Sequence, residues 1–134
     1  MIVGIGNDII EIERIEKAIS KEGFKAKVFT QREIENIVKR GNRTETYAGI
    51  FSAKEAISKA IGTGVREFAL TDLEILNDDL GKPYVIVSDK LNKIIQSKKE
   101  NYQIEIAISH SKKYATAIAI IIWLKLVREE KWIF

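Results

Sequence analysis

Two carboxylates are the strongest candidates for chemistry in this 134-residue chain. Asp8 follows the Gly-Ile-Gly segment at residues 4–6, at the end of a predicted short strand, where small residues would let a ligand approach the backbone. Glu55 lies on a predicted helix between Lys54 and Lys59. Magnesium is commonly held by one or two carboxylates and takes its other oxygens from water and phosphate. The alternatives are that Asp8 caps the next helix and that Glu55 and Lys59 form an ordinary helical ion pair.

A second group of candidate residues could bind phosphate. Lys54 and Lys59 share one predicted helix, and Lys54 falls in the middle of its apolar face, where a buried charge needs a partner. The single histidine, His110, stands in a serine- and lysine-rich segment at residues 109–113. Hydroxyl, imidazole and ammonium groups in one turn would make an anion site. A lone histidine in a turn can equally be incidental.

The hydrophobic pattern predicts helices beside an antiparallel sheet, an α+β fold in one domain over residues 1–134. A capping box from Thr30 to Glu33 starts the second helix and Gly41 stops it. The third helix runs from about Thr44 to Ile61. The first helix is expected over residues 10–22, a short fourth one around residues 91–95, and strands over residues 2–6, 71–76, 84–88, 104–108 and 115–127.

Composition and charge exclude several classes of protein. The chain is 46% hydrophobic and 31% charged, which is typical of a globular domain. It has no cysteine and its N-terminus does not resemble a signal peptide, so we expect a cytoplasmic protein. The apolar run at residues 115–124 is shorter than the roughly 20 residues of a membrane span. We therefore expect no membrane association.

The basic residues gather between positions 21 and 43, although the net charge is only +3. They could form a solvated face or a docking surface for an acidic protein. A nucleic-acid-binding module is the rival interpretation, but the basic stretch has few interleaved aromatic residues and no known recognition motif. A purely structural or interaction domain is a third possibility, and it would leave the clustered carboxylates and lysines without a role.

In chain order, several segments resemble motifs of the holo-acyl carrier protein synthases, which are phosphopantetheinyl transferases. The segment from Gly6 to Arg14 is similar to the opening motif, in which an arginine follows six positions after a Gly-x-Asp. The segment from Phe51 to Ala60 resembles the second motif, centred on Lys-Glu-Ala with a lysine four residues after the glutamate. Further similar segments lie at residues 30–33, 61–64, 81–83 and 108–111. Each motif is weak alone, but the ordered set covers nearly the whole chain and is specific to this family.

The resemblance implies a magnesium-dependent transfer of 4′-phosphopantetheine from coenzyme A to a serine of apo-acyl carrier protein, in support of fatty acid biosynthesis. It also implies a 4′-phosphopantetheinyl transferase-like fold, assembled as a homotrimer with active sites between subunits. Asp8 and Glu55 would ligate magnesium and, with Lys59, form the catalytic group. The residues implied to bind coenzyme A are Lys54, Lys59, Gly81, Lys82, Pro83, Ser109, His110 and Ser111. The residues expected to meet the acidic carrier protein are Arg14, Lys21 and Lys25.

One position departs from the family pattern. The family usually has an arginine before the phenylalanine of the second motif, where this chain has Ile50. One basic contact to the coenzyme A phosphates is therefore in question, and Arg43, Lys112 or Lys113 could replace it.

The implied reaction needs charge stabilisation and a base. The carrier serine would attack the phosphorus next to pantetheine, and adenosine 3′,5′-bisphosphate would leave. The metal ion and the lysines would stabilise the charge on the phosphates. The serine proton would pass either to Glu55 or to a metal-bound water, of which we favour the water.

Overall fold

A long helix packed across a three-stranded antiparallel sheet forms the centre of the structure, a computed structural model that describes residues 1–62, 67–97, 101–126 and 132–133. The helices are α1 (Ile12–Ile19), α2 (Phe24–Val28), α3 (Gln31–Lys39), α4 (Thr44–Ile61) and α5 (Asp89–Gln96), with a 3₁₀ turn at Leu70–Asp72. The strands are β1 (Ile2–Glu11), β2 (Leu73–Asn77), β3 (Pro83–Val87), β4 (Tyr102–His110), β5 (Tyr114–Trp123), β6 (Lys125–Leu126) and β7 (Trp132–Ile133). The predicted α+β fold is confirmed.

The central sheet has the order β1-β5-β4, and β2 and β3 form a separate hairpin beside it. Helix α4 crosses the inner face of the sheet, where β5 presents three buried alanines. Because these side chains are small, the helix axis can lie close to the strands. The residues of β5 that make this contact are Ala115, Ala117 and Ala119.

Two glycines of β1 set the distance between β1 and α4. A Cβ added to Gly4 would lie 2.2 Å from the carbonyl oxygen of Ala60, and one added to Gly6 would lie 2.0 Å from that of Ala56. Neither distance is possible for a side chain, so both positions require glycine. The expectation that these glycines admit a ligand is therefore wrong, because the space is filled by the backbone of α4.

The outer face of the same sheet carries exposed isoleucines. Ile5 and Ile9 on β1 are 64% and 67% exposed, and Ile118 on β5 is 40% exposed. Side chains alternate between the two faces of a strand, so these residues point away from α4. The protomer thus leaves an apolar surface on its sheet.

The N-terminal third differs from the predicted elements. Strand β1 runs on to Glu11, and α1 ends at Ile19, so the expected helix over residues 10–22 is too long. The short α2 was not predicted; it follows Gly23, which has a φ of +86°. A five-residue helix has almost no periodicity for a sequence pattern to reveal.

Helices α3 and α4, the second and third helices predicted from the sequence, agree with their sequence signals. The Thr30 amide donates to Glu33 Oε1 (2.8 Å) and the Glu33 amide donates to Thr30 Oγ1 (3.2 Å), which confirms the capping box. Helix α4 has the predicted bounds and stops at Gly62, whose φ is +89°. Thr63 and Gly64 of the family-like segment, and residue 127 of the predicted last strand, lie outside the described residues. Among the described helices, none is long and apolar enough to cross a membrane.

Candidate active site

Asp8 lies on the inner face of β1, where the glycines bring α4 close. Its Oδ2 accepts a hydrogen bond from Ser52 Oγ at 3.0 Å, and its Oδ1 lies 3.2 Å from Lys59 Nζ. Both partners stand on α4, seven residues or about two helical turns apart. Helix α1 begins only at Ile12, with Glu11 at its N-cap, so Asp8 is not a helix cap. Asp8 is thus bound to α4 through its side chain.

Glu55 is the second carboxylate of this group. Burial raises the pKa of Glu55, and the negative charge of Asp8 raises it further, while Lys59 acts in the opposite direction. The two carboxylates are therefore close enough to repel each other. The structure brings together the two residues that the sequence selected as metal ligands.

Lys59 joins β1 to α4. Its ammonium group donates to the backbone carbonyl of Asn7 at 2.9 Å and pairs with Asp8, and about half of the side chain is exposed. The ordinary i,i+4 pair with Glu55 is not among the ion pairs of the described residues, although the Lys59 charge does lower the pKa of Glu55. Lys59 holds positive charge beside both carboxylates and remains open to solvent.

Lys54 does not reach this site, which corrects the expectation that it binds coenzyme A phosphate. Its side chain is fully buried, with Nζ 2.6 Å from Glu33 Oε1 and 2.5 Å from the carbonyl oxygen of Val28. Glu33 also accepts the Ile75 amide at 2.8 Å. Burial is the main cause of both pKa shifts, raising that of Glu33 and lowering that of Lys54. Lys54 and Glu33 connect α2, α3, α4 and β2 inside the core.

A cleft of about 200 Å³ lies between α4, the end of α3, the β2–β3 hairpin and β4. Three residues expected at the coenzyme A site, namely Gly81, Pro83 and His110, line it together. Ile50, at the position where the family usually has an arginine, lines the same cleft. The remaining lining residues are Arg40, Glu45, Thr46, Gly49, Ile75, Asn77 and Ile108.

Three other residues expected to bind coenzyme A do not line this cleft. Lys82 points to Glu105 instead, with 3.5 Å between Nζ and Oε2. Ser111 uses its hydroxyl to accept the amides of Lys113 and Tyr114 at 3.4 and 3.3 Å, which shapes the β4–β5 turn. Ser109 precedes His110 on β4 and therefore faces the opposite side of the sheet. Residues 109–113 were expected to form one turn, but β4 continues through His110, so Ser109 and His110 point to opposite faces of the sheet.

The structure adds site residues that sequence reasoning missed. Ser52 binds Asp8 directly, and Thr116 Oγ1 donates to the backbone carbonyl of Asp8 at 2.8 Å. Ser52 could have been found from its spacing, since it lies three residues before Glu55 and seven before Lys59 on one helix. Thr116 could not, because its contact depends on the pairing of β1 with β5.

The residues expected to meet a carrier protein lie on and after α1. Arg14 and Lys21 are exposed, and Arg14 has no ion-pair partner among the described residues. Its neighbours Glu13 and Lys17 pair with each other at 3.4 Å. Lys25 is half-buried on α2, with its ammonium 4.9 Å from the centre of the Tyr47 ring. Arg14 and Lys21 are therefore free for a partner, whereas Lys25 already contacts an aromatic ring.

Comparison with known proteins gives the family. Residues 4–119 match the model of the 4′-phosphopantetheinyl transferase superfamily. The chain is 85% identical over 122 residues to a holo-[acyl-carrier-protein] synthase of Fusobacterium nucleatum subsp. nucleatum, covering 91% of this chain and 100% of that one. It therefore belongs to the 4′-phosphopantetheinyl transferase superfamily, and within it to the holo-[acyl-carrier-protein] synthases.

Solved structures agree with this assignment. The holo-[acyl-carrier-protein] synthase of Neisseria meningitidis superposes with a TM-score of 0.83 at 30% identity, covering 91% of this chain and 99% of that one. The synthase of Bacillus anthracis str. Ames, solved in complex with CoA (3′,5′-ADP), has a TM-score of 0.73 at 42% identity, with coverage of 90% and 96%. The fold expected from the resemblance is confirmed.

The buried Glu33–Lys54 pair generates a stability prediction. Lys54→Met should lower the free energy of unfolding by about 3–5 kcal/mol, because Glu33 would be left buried without its counter-charge. Adding Glu33→Gln should restore part of this loss, since no charge would then remain unpaired. Urea unfolding of the two single variants and the double variant measures the coupling. Strictly additive losses would contradict an energetic role for the pair.

Proposed function

We propose that Asp8, Glu55 and Lys59 form the reaction centre of this enzyme and that its metal ion is Mg²⁺. The enzyme transfers the 4′-phosphopantetheine group from coenzyme A to a serine of apo-acyl carrier protein, the activity of its family. The observation that carries the proposal is the contact of Lys59 Nζ with Asp8 Oδ1 at 3.2 Å, beside a Glu55 whose pKa is raised by the Asp8 charge. Two neighbouring carboxylates and one solvent-open cation suit a reaction at a diphosphate.

The donor set fits a hard divalent cation. Asp8 and Glu55 offer carboxylate oxygens, and their mutual repulsion would be relieved by a cation between them. Among the described residues, no group of three or more histidine, cysteine or acidic side chains could hold a metal. Two carboxylates are enough for magnesium, because water and substrate phosphate would complete its coordination. When bound, the ion would supply Lewis-acid stabilisation of charge on the phosphate oxygens.

The substrate would extend from this centre into the cleft. Lys59 would meet the diphosphate, because it is the exposed cation beside Asp8. The nucleotide would enter the cleft lined by Gly81, Pro83 and His110. Such a pose would fix the phosphorus next to pantetheine beside the two carboxylates, where positioning contributes to the rate.

The transfer forms one P–O bond and breaks another. The serine oxygen attacks the phosphorus that carries pantetheine, and adenosine 3′,5′-bisphosphate departs with the electron pair of the bridging P–O bond. The serine proton must pass to a base as the bond forms. Glu55 is one candidate for this base, because it is the carboxylate of this centre that is not paired with Lys59. A water molecule is the other candidate acceptor of the proton.

The carrier protein would dock on the face around α1. Arg14 and Lys21 are exposed there, and Arg14 has no ion-pair partner in the described part of the chain. An acidic helix would be attracted by these charges, which mainly speed association. Lys25 would contribute less, because its ammonium group packs on Tyr47.

The enzyme would act as a homotrimer with active sites between subunits, in the cytoplasm. The exposed isoleucines on the outer face of the sheet support assembly, since contiguous apolar patches mark protein–protein contacts. The absence of cysteine suits a reducing compartment. Ser109 lies on that same outer face, so it would be near a neighbouring subunit.

The metal-site assignment predicts that Asp8→Ala and Glu55→Gln each slow transfer about 100-fold or more, because several kcal/mol of charge stabilisation would be lost. Transfer is measured as the mass gain of one phosphopantetheine on apo-acyl carrier protein with coenzyme A and Mg²⁺. Mg²⁺ alone should also raise the thermal unfolding midpoint of the wild type but not of Asp8→Ala. The exposed Glu35→Gln is the control. Near-normal Mg²⁺-dependent transfer by both site variants would exclude these ligands.

The docking surface predicts a selective effect of Arg14→Glu. The KM for the carrier protein should rise about tenfold or more, while the KM for coenzyme A stays unchanged, because Arg14 lies apart from the cleft. Wild-type transfer should slow as salt rises, since the Debye length is only about 8 Å at physiological ionic strength. Steady-state titration of each substrate gives both constants. An unchanged carrier KM would remove α1 from the docking surface.

The proposed assembly predicts that a charge on the outer sheet face prevents trimer formation. Ile118→Glu should yield monomers by multi-angle light scattering, because a buried unpaired carboxylate in the interface is costly. Transfer should fall together with the trimer fraction if the sites lie between subunits. Wild-type protein that stays monomeric and fully active at assay dilution would contradict the proposal.

A further inference from the structure

The cleft has few positive charges for a site that would hold a nucleotide. Helix α4 lines it with the anionic Glu45 and with Thr46, Gly49 and Ile50, the last three at the i, i+3 and i+4 spacing of one helix face. None of these is a cation, and Gly49 has no room for a side chain, since a Cβ there would lie 2.8 Å from Ile108 Cγ2. The positive charge that an anionic ligand needs must therefore come from another element.

Arg40 is the one lysine or arginine among the described residues that line the cleft. It is the C-cap residue of α3, and its side chain is exposed. No hydrogen bond or ion pair of its guanidinium occurs with the described parts of the chain. Arginine presents donors in a planar fork that matches phosphate oxygens, so an unpaired arginine at this place can bind a phosphate bidentately.

None of the three replacements suggested by the sequence lines the cleft. Arg43 binds Glu45 through Nη2 at 2.8 Å and Nε at 3.0 Å, and so neutralises the carboxylate that also lines the cleft. Lys112 and Lys113 line a different cavity, together with Glu11, Glu13 and Glu16. Arg40 thus remains as the cation of the cleft.

The chemistry of coenzyme A identifies the phosphate. The molecule carries a diphosphate, at which the reaction occurs, and a separate phosphate monoester on the 3′ oxygen of the ribose. The diphosphate belongs with Asp8, Glu55 and Lys59, and none of these three residues is among the described residues lining the cleft. The anion left for the cleft is the 3′-phosphate.

We propose that Arg40 binds the ribose 3′-phosphate of coenzyme A, and so supplies from the end of α3 the charge that α4 lacks at Ile50. This inference rests on the proposed use of the cleft as the nucleotide site. It makes Arg40 a specificity residue, because it distinguishes coenzyme A from 3′-dephospho-coenzyme A.

The test compares these two substrates with wild type, Arg40→Ala and Lys39→Ala. Lys39 is the matched control, since it is the adjacent exposed cation and does not line the cleft. Arg40→Ala should raise the KM for coenzyme A about tenfold or more, as expected for loss of hydrogen bonds to a charged group. It should leave the KM for 3′-dephospho-coenzyme A and for the carrier protein unchanged, and Lys39→Ala should change none of them.

Equal effects of Arg40→Ala on both coenzyme A forms, or no effect on either, would overturn the inference. Arg40→Gln serves as a second variant if the alanine protein has a lowered unfolding midpoint. Calorimetry measures the Kd of adenosine 3′,5′-bisphosphate and of adenosine 5′-monophosphate, which lacks the 3′-phosphate, for the wild type and Arg40→Ala. Because these measurements need no transfer, they test the Arg40 inference independently of the proposed reaction. If the wild type transfers nothing but Arg40→Ala still selectively weakens the bisphosphate, the reaction centre is wrong and the Arg40 assignment stands.

Discussion

The close approach of α4 to β1 is the constraint on which the proposed reaction centre depends. Gly4 and Gly6 leave no space between the strand and the helix backbone, and the alanines of β5 extend this contact across the sheet. Only at this separation can short side chains such as Asp8 and Ser52 touch, at 3.0 Å. Close packing thus positions Asp8 and Ser52, because interiors packed at this density hold side chains in fixed rotamers. The same contact leaves the isoleucines of β1 and β5 on the opposite face.

Lys54 and Lys59, the two lysines of α4, have different surroundings. Lys54 is buried in the core and paired with Glu33. Because Glu33 lies at the start of α3 and also accepts the Ile75 amide of β2, the pair connects α3 and β2 to α4. Desolvation opposes both charges, so the pair is weak evidence for net stability and is better understood as specifying one packing arrangement. Lys59 is left half-exposed beside Asp8. The sequence motif predicts two phosphate-binding lysines, but in the structure Lys54 is buried in an ion pair and only Lys59 faces solvent.

Features set by local signals could be predicted from the sequence, and features set by contacts between distant segments could not. The bounds of α4, the capping box at Thr30 and Glu33, and the two hairpins follow from periodicity and turn residues. The pairing of Lys54 with Glu33 spans 21 residues, and the reason for Gly6 lies 50 residues away on α4. No local pattern encodes such contacts. The grouping of Asp8 with Glu55 and Lys59 could be predicted because carboxylate and amine types narrow the chemistry. The turn predicted at residues 109–113 begins later than expected, because β4 continues through His110.

The charge balance of Asp8, Glu55 and Lys59, the proposed reaction centre, suits a divalent cation. Two carboxylates and one ammonium leave about one net negative charge between β1 and α4, and burial makes that charge costly, as the raised pKa of Glu55 indicates. A group selected for stability alone would have a neutral residue at one of these positions. A divalent cation would turn the net charge positive, which is the sign that a diphosphate and its leaving oxygen require. Without a cation the two carboxylates repel each other, and this repulsion would favour a bound cation in the proposed centre, whose charge would in turn attract an anionic substrate.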